Sequence, residues 1–265
     1  MNNNRFSIFG AVKEAYAFVG REWLYLLKAG LLPMGMQIVT ALFIQFQRPE
    51  ASQIEGYLWG LPSTVLFAWF TFLEIRLLLL GERLDRLPQD RAYLGDRLQC
   101  MKVSIMMSVL FNMSMMAALV LLLALGGGAD QTGGANWPAT LGIIVIIGGI
   151  FWGVRFGLAP ILAAVHHPIR PVLQQTWGMM FSLRLIAMGI VCLFPLAFLF
   201  QIFMEVLLPP STGALPGTLT LTVTQQITLV TASAPFSLFI AALLNAAAAS
   251  ALKQILGSGR DGVLA

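Results

Sequence analysis

The sequence predicts an all-α membrane protein, a polytopic bundle of six transmembrane helices forming one integral domain over residues 1–265. Two observations carry this. Hydrophobic residues make up 58% of the chain and charged ones only 11%, with a mean hydropathy of +0.80. Soluble domains carry about 25% charged residues, so an ordinary water-soluble enzyme is excluded. The second observation is a series of apolar runs at about 23–46, 58–80, 103–125, 138–165, 185–208 and 233–256, each long enough to cross a hydrocarbon core of roughly 30 Å. The start, MNNNRFSIFGAVKEAYAFVGREW, carries Arg5, Lys13, Glu14, Arg21 and Glu22 without a continuous apolar core, so it is not expected to be a cleaved signal peptide.

Orientation follows from the basic residues. The connections between the first and second, third and fourth, and fifth and sixth runs hold a single base, Arg48, and 15 of the 16 Lys and Arg lie elsewhere. The positive-inside rule then places both termini in the cytoplasm, with the membrane taken as a bacterial inner membrane. The stretch EIRLLLLGERLDRL, residues 74–87, becomes the cytoplasmic exit of the second span, with Glu82, Arg83, Asp85 and Arg86 expected in water. Ser233 followed by Pro235 reads as the start of the sixth span, a cap and then a fixed φ.

Three similar units emerge: a cytoplasmic amphipathic helix, an outward span and a returning span with a base near its end. Tyr16, Tyr93 and Trp177 mark the amphipathic segments and are expected at headgroup depth, while Arg76, Arg155 and Lys253 close the returning spans. Any six-span protein obeying the positive-inside rule gives a similar pattern, and both readings stay open at this point. Gly149, Gly153 and Gly157 in the fourth run form a small-xxx-small ladder that predicts close helix packing, and the AAAAS run at 246–250 does the same for the sixth.

Ionisable groups at membrane depth are the candidate functional residues. Glu74, Arg76 and Arg155 stand out because apolar residues follow each for another turn, making them candidates for buried-charge or lipid-phosphate contacts. Lys28, Arg184 and Lys253 lie nearer helix ends, where long stems reach water. His166 and His167 are adjacent, hence about 100° apart on a helix, and no further ligands accompany them, so no metal site is expected. Met106, Met107, Met113, Met115 and Met116 go around their helix and read as packing. Cys100 and Cys192 have no pairing signature. With no HExxH, no G-x-S-x-G, no phosphate-binding glycine loop and no aspartate inside a span, neither catalytic residues nor a cofactor are predicted.

Two likenesses bear on function. EAYAFVGREWLYLLKAGLLP, residues 14–33, is similar to the coupling loop of binding-protein-dependent ABC importer permeases at Glu14, Ala15, Gly20, Leu32 and Pro33. It departs at Tyr16 and Gly30, and it precedes the first span instead of lying between two late ones. The joints IRLLLLGERLDRL and VRFGLAPILAAVHHPIRPVLQQTWGMMFSLRLI resemble those of small six-span bacterial inner-membrane proteins, a group that also resembles the membrane domain attached to some glycerophosphodiester phosphodiesterases. That resemblance implies an accessory role in the bilayer and assigns no active site. The expected function is therefore non-catalytic, binding or organising a protein or lipid partner, with a small transporter or permease subunit as the alternative. No nucleic-acid partner is expected.

Overall fold

The computed structural model describes residues 6–48, 53–84, 90–126, 148, 151, 153–176, 178–207 and 223–257, and these hold helices and no strand. The helices are α1 (Ile8–Gln47), α2 (Gln53–Leu80), α3 (Arg91–Gly126), α4 (Ala159–Ala164), α5 (Ile169–Gln175), α6 (Met179–Leu207) and α7 (Val223–Gly257). Among the described residues four helices are long and apolar enough to cross a membrane: Ile8–Gln47, Leu58–Leu80, Met179–Phe203 and Val223–Leu256. The expected third span lies inside α3. Much of the expected fourth, with Gly149, falls outside the described residues, and its described end is the shorter apolar stretch Gly153–Ala164.

Two boundaries differ from expectation. The amphipathic segment at Tyr16 is not a separate helix, because α1 runs unbroken for 40 residues from a Ser7 cap whose Oγ accepts the Gly10 N–H at 3.1 Å. Residues 14–24 contain no proline, and an isolated Gly20 costs only about 1 kcal/mol, so nothing stops the helix before the apolar run. At roughly 1.5 Å per residue α1 is about 60 Å long, twice the length that a hydrocarbon core needs, and its first half carries Lys13, Glu14, Arg21 and Glu22. The Tyr93 segment is likewise continuous with α3, which starts at an Asp90 cap accepting the Ala92 N–H at 3.1 Å. Only the third such segment is separate, as α5, and Trp177 lies outside the described residues.

The second correction concerns Ser233 and Pro235. They do not open the last span, since α7 is already helical from Val223 and Pro235 sits inside it. Ser233 Oγ turns back to donate to the Val230 carbonyl at 2.9 Å instead of capping. Membrane helices tolerate such prolines where hydroxyls and neighbouring helices take up the freed backbone groups, and Pro33, Pro62 and Pro195 are likewise interior to α1, α2 and α6.

Side-chain contacts set the helix directions. Ser7 N–H donates to Gln254 Oε1 at 2.8 Å and Gln37 Nε2 to Ser237 Oγ at 3.4 Å, so α1 and α7 run antiparallel. Phe43 meets Trp59 at 4.8 Å with the rings tilted, while Glu22 pairs with Arg83, so α2 returns along α1. Phe6 meets Phe181 at 5.9 Å and Phe200 meets Phe236 at 4.6 Å, which makes α6 parallel to α1 and antiparallel to α7. Both described chain ends, the α2–α3 connection and the α4–α5 turn therefore share one end of the bundle, hereafter the charged end. The core is centred on α7, where Ala246, Ala247, Ala249 and Ala251 are buried and let neighbouring helices approach closely. Outside, α6 presents Ile190, Phe194, Phe198 and Ile202, one exposed stripe at a four-residue spacing suited to a hydrocarbon solvent.

Candidate functional site

The charged end collects the buried polar groups that the sequence singled out. Arg76 is buried near the end of α2, and its fork is closed by Glu82, two residues past the helix. Nε donates to Glu82 Oε2 at 2.6 Å, Nη2 to Glu82 Oε1, and Nη1 to the Ala164 carbonyl at 2.7 Å. Glu82 is thus not in water as expected. The chain reverses at Gly81, whose φ of 68° is the left-handed conformation that glycine adopts without a Cβ penalty. The Gly81 N–H still reaches the Leu77 carbonyl at 3.1 Å, the 5→1 bond of an αL helix stop, the Glu82 N–H reaches the Arg76 carbonyl at 3.3 Å, and the turn delivers Glu82 back to Arg76.

The pair sits in a wider network. Arg97 from α3 approaches Glu82 at 3.5 Å, and Tyr93 of the same helix also acts on this carboxylate. The Arg76 and Arg97 guanidiniums lie 5.5 and 5.7 Å from the Phe72 ring, within cation–π reach. Burial alone would raise the Glu82 carboxyl, but hydrogen bonds from Arg76 and Tyr93 and the charges of Arg76 and Arg97 outweigh it and hold the group below its ordinary range. Alignment with the Ala164 carbonyl, at the C-terminus of α4, adds a favourable dipole contact for the cation.

Arg155 occupies the corresponding place at the end of its run but uses other partners. It is buried, its Nε donates to Ser182 Oγ at 2.6 Å and its Nη2 to the Gly178 carbonyl at 2.6 Å, with the Phe151 ring 5.6 Å away. Ser182 at the start of α6 carried no signal in the sequence. The two arginines are thus alike in position and burial and unlike in partners.

Glu74 lies deeper. It is only 1% exposed, and on the α2 face it shares with Thr71 it meets Asn245 of α7, whose Nδ2 donates to Thr71 Oγ1 at 3.0 Å and to Glu74 Oε2 at 3.3 Å. The other oxygen, Oε1, has no hydrogen-bond partner. As the helical geometry requires, Glu74 and Arg76 point apart and make separate contacts.

Other candidates resolve differently. Tyr16 is half-buried with its hydroxyl donating to the Cys192 carbonyl at 2.8 Å, so it ties α1 to α6. Gly157 ends the helical residues 153–156 in a turn, and a Cβ there would lie 3.7 Å from Phe111 of α3, an ordinary contact inside the chain. Gly153 accepts the Gly157 N–H at 2.9 Å. Lys28 is exposed, and Lys253 pairs with Glu14 at 3.3 Å. The stretch that resembles a permease coupling loop is therefore an uninterrupted part of α1, with Glu14 on Lys253 and Gly30 packed against α7. His166 and His167 lie at the α4–α5 turn, and among the described residues no group of three or more His, Cys, Asp or Glu is arranged to hold a metal.

The Gly81 turn can be tested by itself. A Cβ at Gly81 would meet nothing within 4 Å, so Gly81→Val acts through the backbone alone, with an expected loss of roughly 1–2 kcal/mol from the left-handed conformation. Gly95 in α3 is equally open, and there Gly95→Ala is expected to stabilise by about 0.5–1 kcal/mol. Thermal unfolding of both variants in detergent, with opposite signs expected, checks the pair.

No protein-family model, curated protein or solved structure matches this chain.

Proposed function

We propose that this chain is a non-catalytic, six-span protein of a bacterial cytoplasmic membrane, with both termini cytoplasmic, that holds a protein or lipid partner in the bilayer. The observation that carries the reading is how the buried charge is closed. Arg76 takes Glu82 and a backbone carbonyl, Arg155 takes a hydroxyl and a carbonyl, and a cavity of about 530 Å³ opens at the charged end, away from the bundle's middle. A packed apolar interior with an apolar exterior suits a scaffold, whereas a transporter needs a polar cavity at mid-membrane. The three-hairpin organisation is part of this proposal, supported by the matching places of Arg76 and Arg155.

Purification in mild detergent followed by mass spectrometry of co-purifying lipids and proteins is expected to return one reproducible partner. Orientation is tested with Lys13→Cys, an exposed site, in a chain whose Cys100 and Cys192 are replaced by Ala. In intact cells it is expected to resist an impermeant thiol reagent and react with a permeant one.

The transporter reading is favoured by two observations, the break in the helix at Gly157–Leu158 and the unpartnered Glu74 oxygen. Discontinuous helices and intramembrane carboxyls are where transporters bind ions. Ion or proton flux in reconstituted vesicles that disappears in Glu74→Gln would replace the scaffold reading with this one.

A further inference from the structure

The α3 and α4–α5 elements line an open cavity of about 530 Å³, walled by Gln99, Cys100, Val103, Ala163, His166, His167, Pro168 and Ile169. That volume lies in the range of small-molecule sites, roughly 300–1,000 Å³. On its wall Cys100 Sγ stands 3.5 Å from His166 Nδ1, two residues 66 positions apart in sequence. The imidazole is held there by an unusual backbone. His166 has a φ of 56°, at the left-handed position of a Schellman stop in which the His167 N–H reaches the Leu162 carbonyl at 3.0 Å and the His166 N–H reaches Ala163 at 3.3 Å. Glycine is the residue that adopts this conformation without strain, so a side chain kept there signals a use for it. His167 Nδ1, also on the cavity wall, is buried without a hydrogen-bond partner.

We propose that Cys100 is a covalent S-acylation site, with His166 as its base, the cavity as the bed for the acyl chain, and a long-chain acyl thioester of a phosphate-bearing carrier as the donor. Val103, Ala163, Pro168 and Ile169 give the cavity apolar walls, while Lys102 and Arg170, each next in sequence or one removed from a lining residue, are exposed cations suited to the carrier's phosphates. A thiol beside an imidazole is the arrangement that nucleophilic acyl transfer needs. Burial raises the Cys100 thiol, the Arg76 charge draws it down and Asp96 raises it, so the group rests as a thiol and depends on a neighbouring base. In the step, His166 Nδ1 takes the Sγ proton as sulfur attacks the thioester carbonyl. The carbonyl–sulfur bond to the carrier then breaks, and His166 returns the proton to the departing thiolate. The products are S-acyl-Cys100 and the free carrier thiol, with no change of oxidation state. The site deepens the lipid-partner reading and rests on it only in placing the cavity at the membrane surface.

The test is incubation of the full-length protein in detergent with palmitoyl coenzyme A, followed by intact-mass and peptide mass spectrometry across pH 6–10. One hydroxylamine-labile acyl group is expected on Cys100, none on Cys192, and none in Cys100→Ser. His166→Gly preserves the helix stop and relieves its strain, so a purely structural histidine predicts unchanged or faster acylation. The base role predicts at least a tenfold slower rate at pH 7 and a pH profile displaced upward to that of an unassisted thiol. Absence of the acyl group in a folded wild-type protein, equal labelling of Cys192, or an unchanged rate and profile in His166→Gly would each overturn the proposal. A folded chain that is not acylated yet still retains a partner would overturn this site while leaving the scaffold reading intact.

Discussion

Arg76→Leu is expected to destabilise the protein by about 3–5 kcal/mol, the usual cost of removing one member of a buried ion pair. The side chains of Arg76 and Glu82 are only 8% and 15% exposed, so the orphaned carboxylate cannot simply turn into solvent. Among the described residues Arg97, at 3.5 Å, is placed to receive it through a longer contact. Arg76→Leu combined with Glu82→Leu is expected to recover much of the loss, because two apolar groups remove both desolvation penalties together. Denaturant unfolding of the single and double variants in mixed micelles checks both values, and additive losses would show that the pair is not coupled. The pH dependence has a definite sign. Glu82 is held below its unfolded value near 4.3, so its contribution is complete above that pH and is lost as pH falls through the lower folded value. Unfolding between about pH 5 and pH 2 should therefore be less steep in Glu82→Gln than in the wild type.

Gly30→Ala is expected to cost about 1–3 kcal/mol, the usual penalty for overfilling a packed contact. A Cβ built there would come within 2.2 Å of Leu238 Cδ2 and 3.0 Å of Leu238 Cγ, so rotation of the terminal methyls alone does not make room. Gly30 of α1 packs directly on Leu238 of α7, and both residues are buried. Leu238→Ala alone creates a cavity and is expected to lose about 2–5 kcal/mol. Combined with Gly30→Ala it should lose less than the sum, since the new methyl occupies part of the vacated volume. Thermal unfolding of this four-member cycle tests the packing, and strict additivity would mean that the two helices do not meet at this point.

The sequence places these effects unevenly. The helical class, the membrane environment and most span positions could be read from the apolar runs, because the bilayer imposes a length and a composition on any segment that crosses it. The burial of Arg76, Arg155 and Glu74 was also legible, since each is followed by further apolar residues. Helix ends were less so. Residues 8–22 look amphipathic and separate, yet without a breaker the hydrogen-bond ladder simply continues into the span. Ser233 with Pro235 has the composition of a start, but in lipid every free backbone group must be satisfied, and an interior proline with a hydroxyl beside it is tolerated where water would have favoured a stop.

What the sequence by itself determined was the apolar character of the spans, the helical class, and the burial of Glu74, Arg76 and Arg155, but not that of Glu82. Their partners were decided only by tertiary structure. Glu82 meets Arg76 because Gly81 adopts a left-handed conformation that glycine takes without a Cβ penalty and that no composition announces. Asn245 meets Glu74 across 171 residues, and Ser182 meets Arg155 across 27. Cys100 and His166 come together because α4 stops at a strained histidine beside α3. Periodicity reports which face of a helix avoids water, but helix-to-helix register depends on the summed shape of many small contacts such as Gly30 against Leu238. That sum exists only once the helices have packed, so the chemistry of the charged end belongs to the fold.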